Sequence, residues 1–147
     1  MTVFRCAGCA TALTAELDEV PLPREGPLPY EAEVEGECPP RIPPGRFAYD
    51  PEPSAFSRVP HPTLKSHLAP GGPTGSIVIG PGDARGLVPT PDGRNRGGCC
   101  GPDGTGGANL LCAGCSAALA IESADCWTPV QIVLDPRRVV AHDGPAP

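Results

Sequence analysis

Apolar positions in this chain fall in short runs, each cut off by proline, glycine or a charge. Val3-Phe4-Arg5 predicts a short strand that leads into a cysteine turn. From Thr11 to Val20, Leu13, Ala15 and Leu17 alternate with Thr14, Glu16 and Asp18, the period of a strand. Leu13 and Leu17 also stand one helical turn apart. The strand is preferred, because a turn of this kind sits at the tip of a hairpin. Arg46-Phe47-Ala48-Tyr49-Asp50 predicts a short buried strand, since it holds two of the five Phe and Tyr residues. Ser76-Ile77-Val78-Ile79 is the clearest strand and stops at Gly80-Pro81-Gly82-Asp83. Leu87-Val88, Leu110-Leu111 and the alternation of Ala117, Leu119 and Ile121 add shorter pieces. Val130 to Leu134 is the last strand, ended by Asp135-Pro136, and residues 141–147 read as a frayed tail.

Between these runs lies a segment, 21–75, in which proline recurs at fourteen positions. Each proline removes a backbone donor and biases the residue before it away from helix, so long helices are excluded there. Glu31, Glu33, Glu35 and Glu37 form an alternating acidic run whose plain reading is a solvated edge or loop, without the ligand loop that calcium requires. The expected organisation is a single domain over 1–147. It begins with a hairpin in 1–20, continues through the proline-rich stretch, and carries strands and a cysteine cluster in 76–140.

Composition changes the picture of how such a domain holds together. Gly 19 and Pro 22 in 147 residues, with aromatic content of only 4%, leave few large side chains for a core. A thin core calls for staples, and the chain has eight cysteines. No apolar stretch of signal-peptide length opens the sequence, so the expected compartment is cytoplasmic, where thiols stay reduced and paired Cys-x-x-Cys reads as metal before disulfide. No run approaches the 18 or so apolar residues of a membrane span. The net charge of −6 argues against a phosphate-backbone partner.

The cysteines carry the chemistry. Cys6-Ala7-Gly8-Cys9 recurs as Cys112-Ala113-Gly114-Cys115, and the copies stay in step through Ala12-Leu13 and Ala118-Leu119 to Glu16 and Glu122. Two Cys-x-x-Cys knuckles suit a tetrahedral zinc site, because each short turn aims two thiolates at one point. Two arrangements are open. In one, Cys6, Cys9, Cys112 and Cys115 share one zinc, as in a zinc ribbon with a long insertion. In the other, Cys100, Cys112, Cys115 and Cys126 form a compact set, with Cys99 as the alternative first ligand. The first knuckle then recruits Cys38 with His61 or His67, or whichever of Cys99 and Cys100 is left over. Neighbouring thiols diverge, so Cys99-Cys100 is expected to give one ligand and one bystander. Arg94 and Arg96 would favour a reactive thiolate there. Neither knuckle has the strand–helix–strand setting of a thioredoxin-type motif, and no nucleophile elbow, phosphate loop or dinucleotide fingerprint is present.

Several of these blocks resemble a group of small cysteine-rich, zinc-ribbon-like proteins of actinobacteria. The resemblance runs through Arg5-Cys6-Ala7-Gly8-Cys9, Tyr49-Asp50-Pro51-Glu52-Pro53, Gly98-Cys99-Cys100-Gly101-Pro102-Asp103-Gly104, Asn109-Leu110-Leu111-Cys112, Ala124-Asp125-Cys126 and Leu134 to Val139. It brings no activity with it. It implies that Cys126 belongs with the core cysteines and that Cys38 is incidental. The chain departs from the group after each knuckle, where glycine is usual and Ala10 and Ser116 stand here.

The expectation is therefore a mostly β, small zinc-stabilised domain with long Pro/Gly-rich loops. It would be a non-catalytic module for a protein partner, with one or two structural zinc ions and neither nucleic acid nor membrane as partner. The alternatives are a thiol-based redox sensor or enzyme using Cys99 and Cys100 and, third, a nucleic-acid-binding ribbon.

Overall fold

The computed structural model describes residues 1–24, 28–32, 38–64, 67–125 and 128–143. It is mostly β. The strands are β1 (Thr2–Cys6), β2 (Asp18–Glu19), β3 (Arg46–Asp50), β4 (Ser76–Ile79), β5 (Leu87–Pro89), β6 (Leu110–Cys112), β7 (Ala118–Ser123), β8 (Gln131–Leu134) and β9 (Val139–Asp143). Two single 3-10 turns, Pro29–Glu31 and Pro81–Asp83, are the only helical pieces among the described residues. None of the described residues forms a helix long and apolar enough to cross a membrane.

Seven strands form one sheet in the order β2-β3-β4-β8-β7-β6-β5, and β1 pairs with β9 in a separate two-stranded sheet. All the pairings are antiparallel except the short β2–β3 contact. The central strand β4 is buried at all four positions, Ser76 to Ile79, because both faces of the sheet are covered there. On one face Phe47, Ile77, Ile79, Leu119, Ile132 and Leu134 pack with Phe4, Leu13, Leu17 and Val139. Phe4 meets Phe47 edge-on at 5.0 Å between ring centroids, a favourable aromatic geometry. On the other face Ala48, Val78 and Val133 pack with Ile42, and Val20, Leu22, Ala55 and Phe56 close over them. Alternation along β3, β4 and β8 thus feeds two cores, one on each side.

Residues 21–75 do more than the proline count implies. Ile42 is wholly buried, and Leu22, Ala55 and Phe56 line the second core, so this stretch is the lid of one sheet face. Its acidic run falls largely at 33–37, outside the described residues. The expected tail is corrected in part. Ala141, His142 and Asp143 continue β9 and pair with Phe4, Val3 and Thr2. The β1 edge carries Phe4 and Cys6 into the core and needs a partner, and Val139-Val140 supplies the β-branched start of one. Residues 144–147 lie outside the described set. The stretch from Thr11 to Leu17 is extended: Ala12 bridges Arg5, Leu17 bridges Thr2, and Thr14 bridges Ala84. Backbone pairing with β1 has overridden the helical spacing of Leu13 and Leu17.

The doubled sequence becomes a doubled structure. Cys6 pairs with Val139 as Cys112 pairs with Leu87. The Ala7 N–H donates to the Arg138 carbonyl at 2.9 Å, and the Ala113 N–H donates to that of Gly86 at 2.8 Å. The Leu13 carbonyl accepts from the Arg85 N–H, and the Leu119 carbonyl accepts from the Asp135 N–H. Between the repeats, β4 and β8 run antiparallel with Val78 opposite Val133. Each repeat sends its last strand onto the other's knuckle: β5 leaves the first repeat to pair with β6, and β9 leaves the second to pair with β1. The repeats interlock, and this brings chain positions a hundred residues apart to one place.

Candidate metal centre

Each knuckle closes by the same two backbone bonds. Ala10 N–H donates to the Cys6 carbonyl and Cys6 N–H to that of Thr11; Ser116 N–H donates to the Cys112 carbonyl and Cys112 N–H to that of Ala117. These bonds turn the chain through a tight loop whose two thiols point the same way. The closing residues sit in the left-handed region, Ala10 at φ 63° and Ser116 at φ 64°. Each turn therefore closes through a non-glycine residue held in a strained, left-handed conformation. A left-handed non-glycine residue costs about 1–2 kcal/mol, offset in part by the extra unfolded-state freedom that glycine would bring. Ala10→Gly and Ser116→Gly are each expected to stabilise the metal-loaded protein by about 0.5–1 kcal/mol, read from urea unfolding.

Interlocking of the repeats brings the two knuckles together. The Sγ atoms of Cys6 and Cys115 lie 3.6 Å apart and those of Cys9 and Cys112 lie 3.5 Å apart. All four sulfurs fall within 4.8 Å of one another. Four thiolates at the zinc–sulfur bond length would sit about 3.8 Å apart around a tetrahedron, so the donor set fits a tetrahedral metal. Cys6 and Cys112 are the inner pair, 4% and 0% exposed, and belong to the main core; Cys9 and Cys115 face solvent. The site joins core to surface. Gly114 lies against Thr11 and Cys9 so closely that a Cβ there would overlap the Thr11 hydroxyl, whereas Gly8 has room for one.

The four thiols are not equivalent. Hydrogen bonds from the Thr11 hydroxyl and N–H, joined by the Cys112 thiol, lower Cys9 to about 6. Cys115 is pushed up to about 11: the Ala117 N–H pulls it down, but the Cys6 thiol, burial and the thiols of Cys9 and Cys112 together outweigh that pull. Metal uptake requires thiolates. At neutral pH the metal must displace the Cys115 proton, while Cys9 is already ionised. Below about pH 6 the Cys9 proton must also leave. The logarithm of metal affinity is thus expected to fall one unit more steeply per pH unit below 6 than above it, measured by zinc competition against an indicator corrected for its own protonation.

The other sequence candidates lie elsewhere. Cys112 and Cys115 stand with Cys6 and Cys9, so the compact set with Cys100 and Cys126 does not form around them. Cys126 is outside the described residues. Cys100 is in a disulfide, which removes its thiolate from ligation in this state and corrects the expectation of one ligand and one bystander. The Cys99 S–H donates to Asp125 Oδ1 at 3.1 Å. Arg94 and Arg96 do not serve these thiols as expected: Arg94 pairs with Asp92, and Arg96 pairs with Glu122. Cys38 donates to the Pro39 carbonyl, and His61 Nδ1 accepts from the N–H groups of Thr63 and Leu64, holding its own turn. Neither joins the four-cysteine group, nor does His67. Sequence reasoning missed Thr11, which tunes Cys9, and Asp125, which faces Cys99. For Thr11 the only signal was its position two residues past the knuckle; for Asp125 it was adjacency to Cys126.

Comparison with known proteins returns no match among family models, curated proteins or solved structures. The geometry alone carries the functional argument.

Proposed function

We propose that this protein is a zinc-stabilised, non-catalytic interaction module. Zinc on Cys6, Cys9, Cys112 and Cys115 would lock the two repeats, and the surface so fixed would bind another protein. The observation that carries this reading is the convergence of four sulfurs from two knuckles within 4.8 Å. An all-sulfur set favours zinc among the common divalent ions. Four protein ligands leave no coordination position for water or substrate, which supports a structural rather than a catalytic metal. Beside the knuckles, β5 and β9 are edge strands carrying the exposed side chains of Val88 and Val140, the sort of strand edge to which a partner chain can add. The net charge of −6 weighs against nucleic acid.

The test is metal content and partner capture on the same preparation. The protein purified in zinc-containing medium should hold one zinc at the knuckles, lost in the Cys9→Ser variant. It should retain a protein partner through native chromatography, and chelation should release that partner. A metal-free, folded protein would refute the reading. The second reading, redox sensing at Cys99 and Cys100, draws support from the disulfide at Cys100 beside the Cys99 thiol.

A further inference from the structure

We propose that the cleft bounded by Phe56 to Arg58, the loop at 105–108 and the turn from β8 to β9 binds a phosphate group, free or carried on a small molecule. The site uses none of the four knuckle cysteines and does not rest on zinc.

Charge is the first support. Arg58, Arg137 and Arg138 line a cleft of about 640 Å³ together with one carboxylate, Asp135. That volume is within the range of small-molecule sites. Three cations against one anion leave a local positive excess in a chain of net charge −6. Asp135 is buried and holds Arg137 in one orientation: Nε and Nη2 donate to its two carboxylate oxygens at 2.9 Å each. Arg138 Nε stands 4.0 Å from the same carboxylate. Arg58 comes from a separate segment, is exposed, and has no partner among the described residues. The planar guanidinium fork matches the oxygens of a phosphate. Asp103, beside the loop, is engaged locally, accepting from the Thr105 N–H and hydroxyl at 3.0 and 2.8 Å.

The loop adds neutral donors. Gly106, Gly107 and Ala108 line the cleft, and none of their N–H groups has an acceptor among the described residues. Gly107 has φ 95°. Successive free amides around a residue of positive φ form the concavity in which backbone holds anions.

Two features of the walls are not explained by the fold alone. Phe56 lines the cleft, packs on the second core and has φ 62°. A bulky residue stays in that region only where its surroundings impose it, and such positions cluster at ligand sites. The symmetry of the repeats is also broken here. The Arg85 and Asp135 N–H groups donate to the matching leucines, and the Gly86 and Arg138 carbonyls accept the matching knuckle amides. The first repeat passes directly from Arg85 to Gly86. The second inserts Pro136 and Arg137 and carries Arg138 in place of glycine. The first repeat makes the same turn without these two arginines, so the turn does not require them. A compact cleft suits one phosphate group, whereas a nucleic-acid backbone needs an extended basic face.

The test is two-dimensional amide NMR on the full chain, titrated with inorganic phosphate and, separately, with glycerol phosphate. Sodium chloride at matched ionic strength is the control. We expect saturable shifts centred on Gly106, Gly107 and Ala108 with the phosphates and none with chloride. Tighter binding of the ester assigns the site to a phosphorylated molecule; equal or weaker binding assigns it to free phosphate. Arg58→Ala should weaken phosphate binding about tenfold, the loss of one charge-assisted pair, and leave the rest of the spectrum in place. Arg94→Ala removes the same charge from an arginine paired with Asp92 and should leave the affinity unchanged. Absence of saturable shifts, shifts reproduced by chloride, wild-type affinity in Arg58→Ala, or equal weakening by both variants would overturn the proposal.

Discussion

Chelating the metal from the four-cysteine centre at neutral pH is expected to unfold the protein at 37 °C. The argument rests on what the centre closes. Cys9 and Cys112 bound the stretch between the knuckles, and a cross-link across a loop of that length restricts the unfolded chain by about 4–5 kcal/mol. A domain of this size has a total stability of about 5–15 kcal/mol, so this contribution is a large share of the whole. The inner ligands add to it. Cys6 and Cys112 sit in the main core beside Phe4, Leu13 and Leu119, and without a metal their sulfurs face those of Cys115 and Cys9 at 3.6 and 3.5 Å with no cation to hold the four together. Structural zinc in small domains contributes its binding energy directly to folding. Thermal unfolding followed by circular dichroism, with and without a chelator, gives the readout. Cys112→Ser should reproduce the chelated state, since it loses a ligand and buries a hydroxyl. A chelated protein that melts within a few degrees of the loaded one would show that the β core alone suffices.

Some of this architecture was legible in the sequence because it depends on local pattern. Arg46–Asp50 and Ser76–Ile79 form strands at the expected residues because β-branched and aromatic side chains fill both faces of a short extended run. The knuckles were legible because a Cys-x-x-Cys turn is a local object. The choice between the two cysteine groupings was not. It depends on β4 meeting β8 and on β5 and β9 crossing to the opposite repeat, pairings between residues far apart in the chain that no local signal encodes. The same reason hid β9, whose polar residues His142 and Asp143 read as tail until β1 is set beside them. The proline-rich stretch was read as irregular, and its backbone largely is. Ile42, Leu22 and Phe56 are scattered too sparsely within it to announce that together they cover a sheet face. At Cys99-Cys100, divergence of neighbouring side chains was the sound default, and two glycine-dependent contacts with residues 124 and 125 set it aside.

The interlocking of the repeats also predicts the most sensitive position outside the cysteines. Gly86 has φ 45° and lies where a Cβ would overlap the Ala12 carbonyl and press on the Thr11 side chain. Its own carbonyl accepts the Ala113 N–H, and the Arg85 N–H beside it donates to Leu13. One glycine thus touches the backbone of both knuckle hairpins. Gly86→Ala should push the hairpins apart and weaken zinc binding at least tenfold, with a stability loss of about 3–4 kcal/mol, combining left-handed strain with a backbone overlap that no side-chain rotation relieves. Gly75→Ala is the control. Gly75 has φ 83° and nothing within 4 Å of where its Cβ would stand, so it carries the strain without the contact. It should cost about 1–2 kcal/mol and leave zinc affinity unchanged. Zinc competition and urea unfolding on the two variants separate backbone strain from the spacing of the knuckles. Equal effects in both would mean that the hairpins tolerate displacement and that the four sulfurs find the metal without the interlock holding them in place.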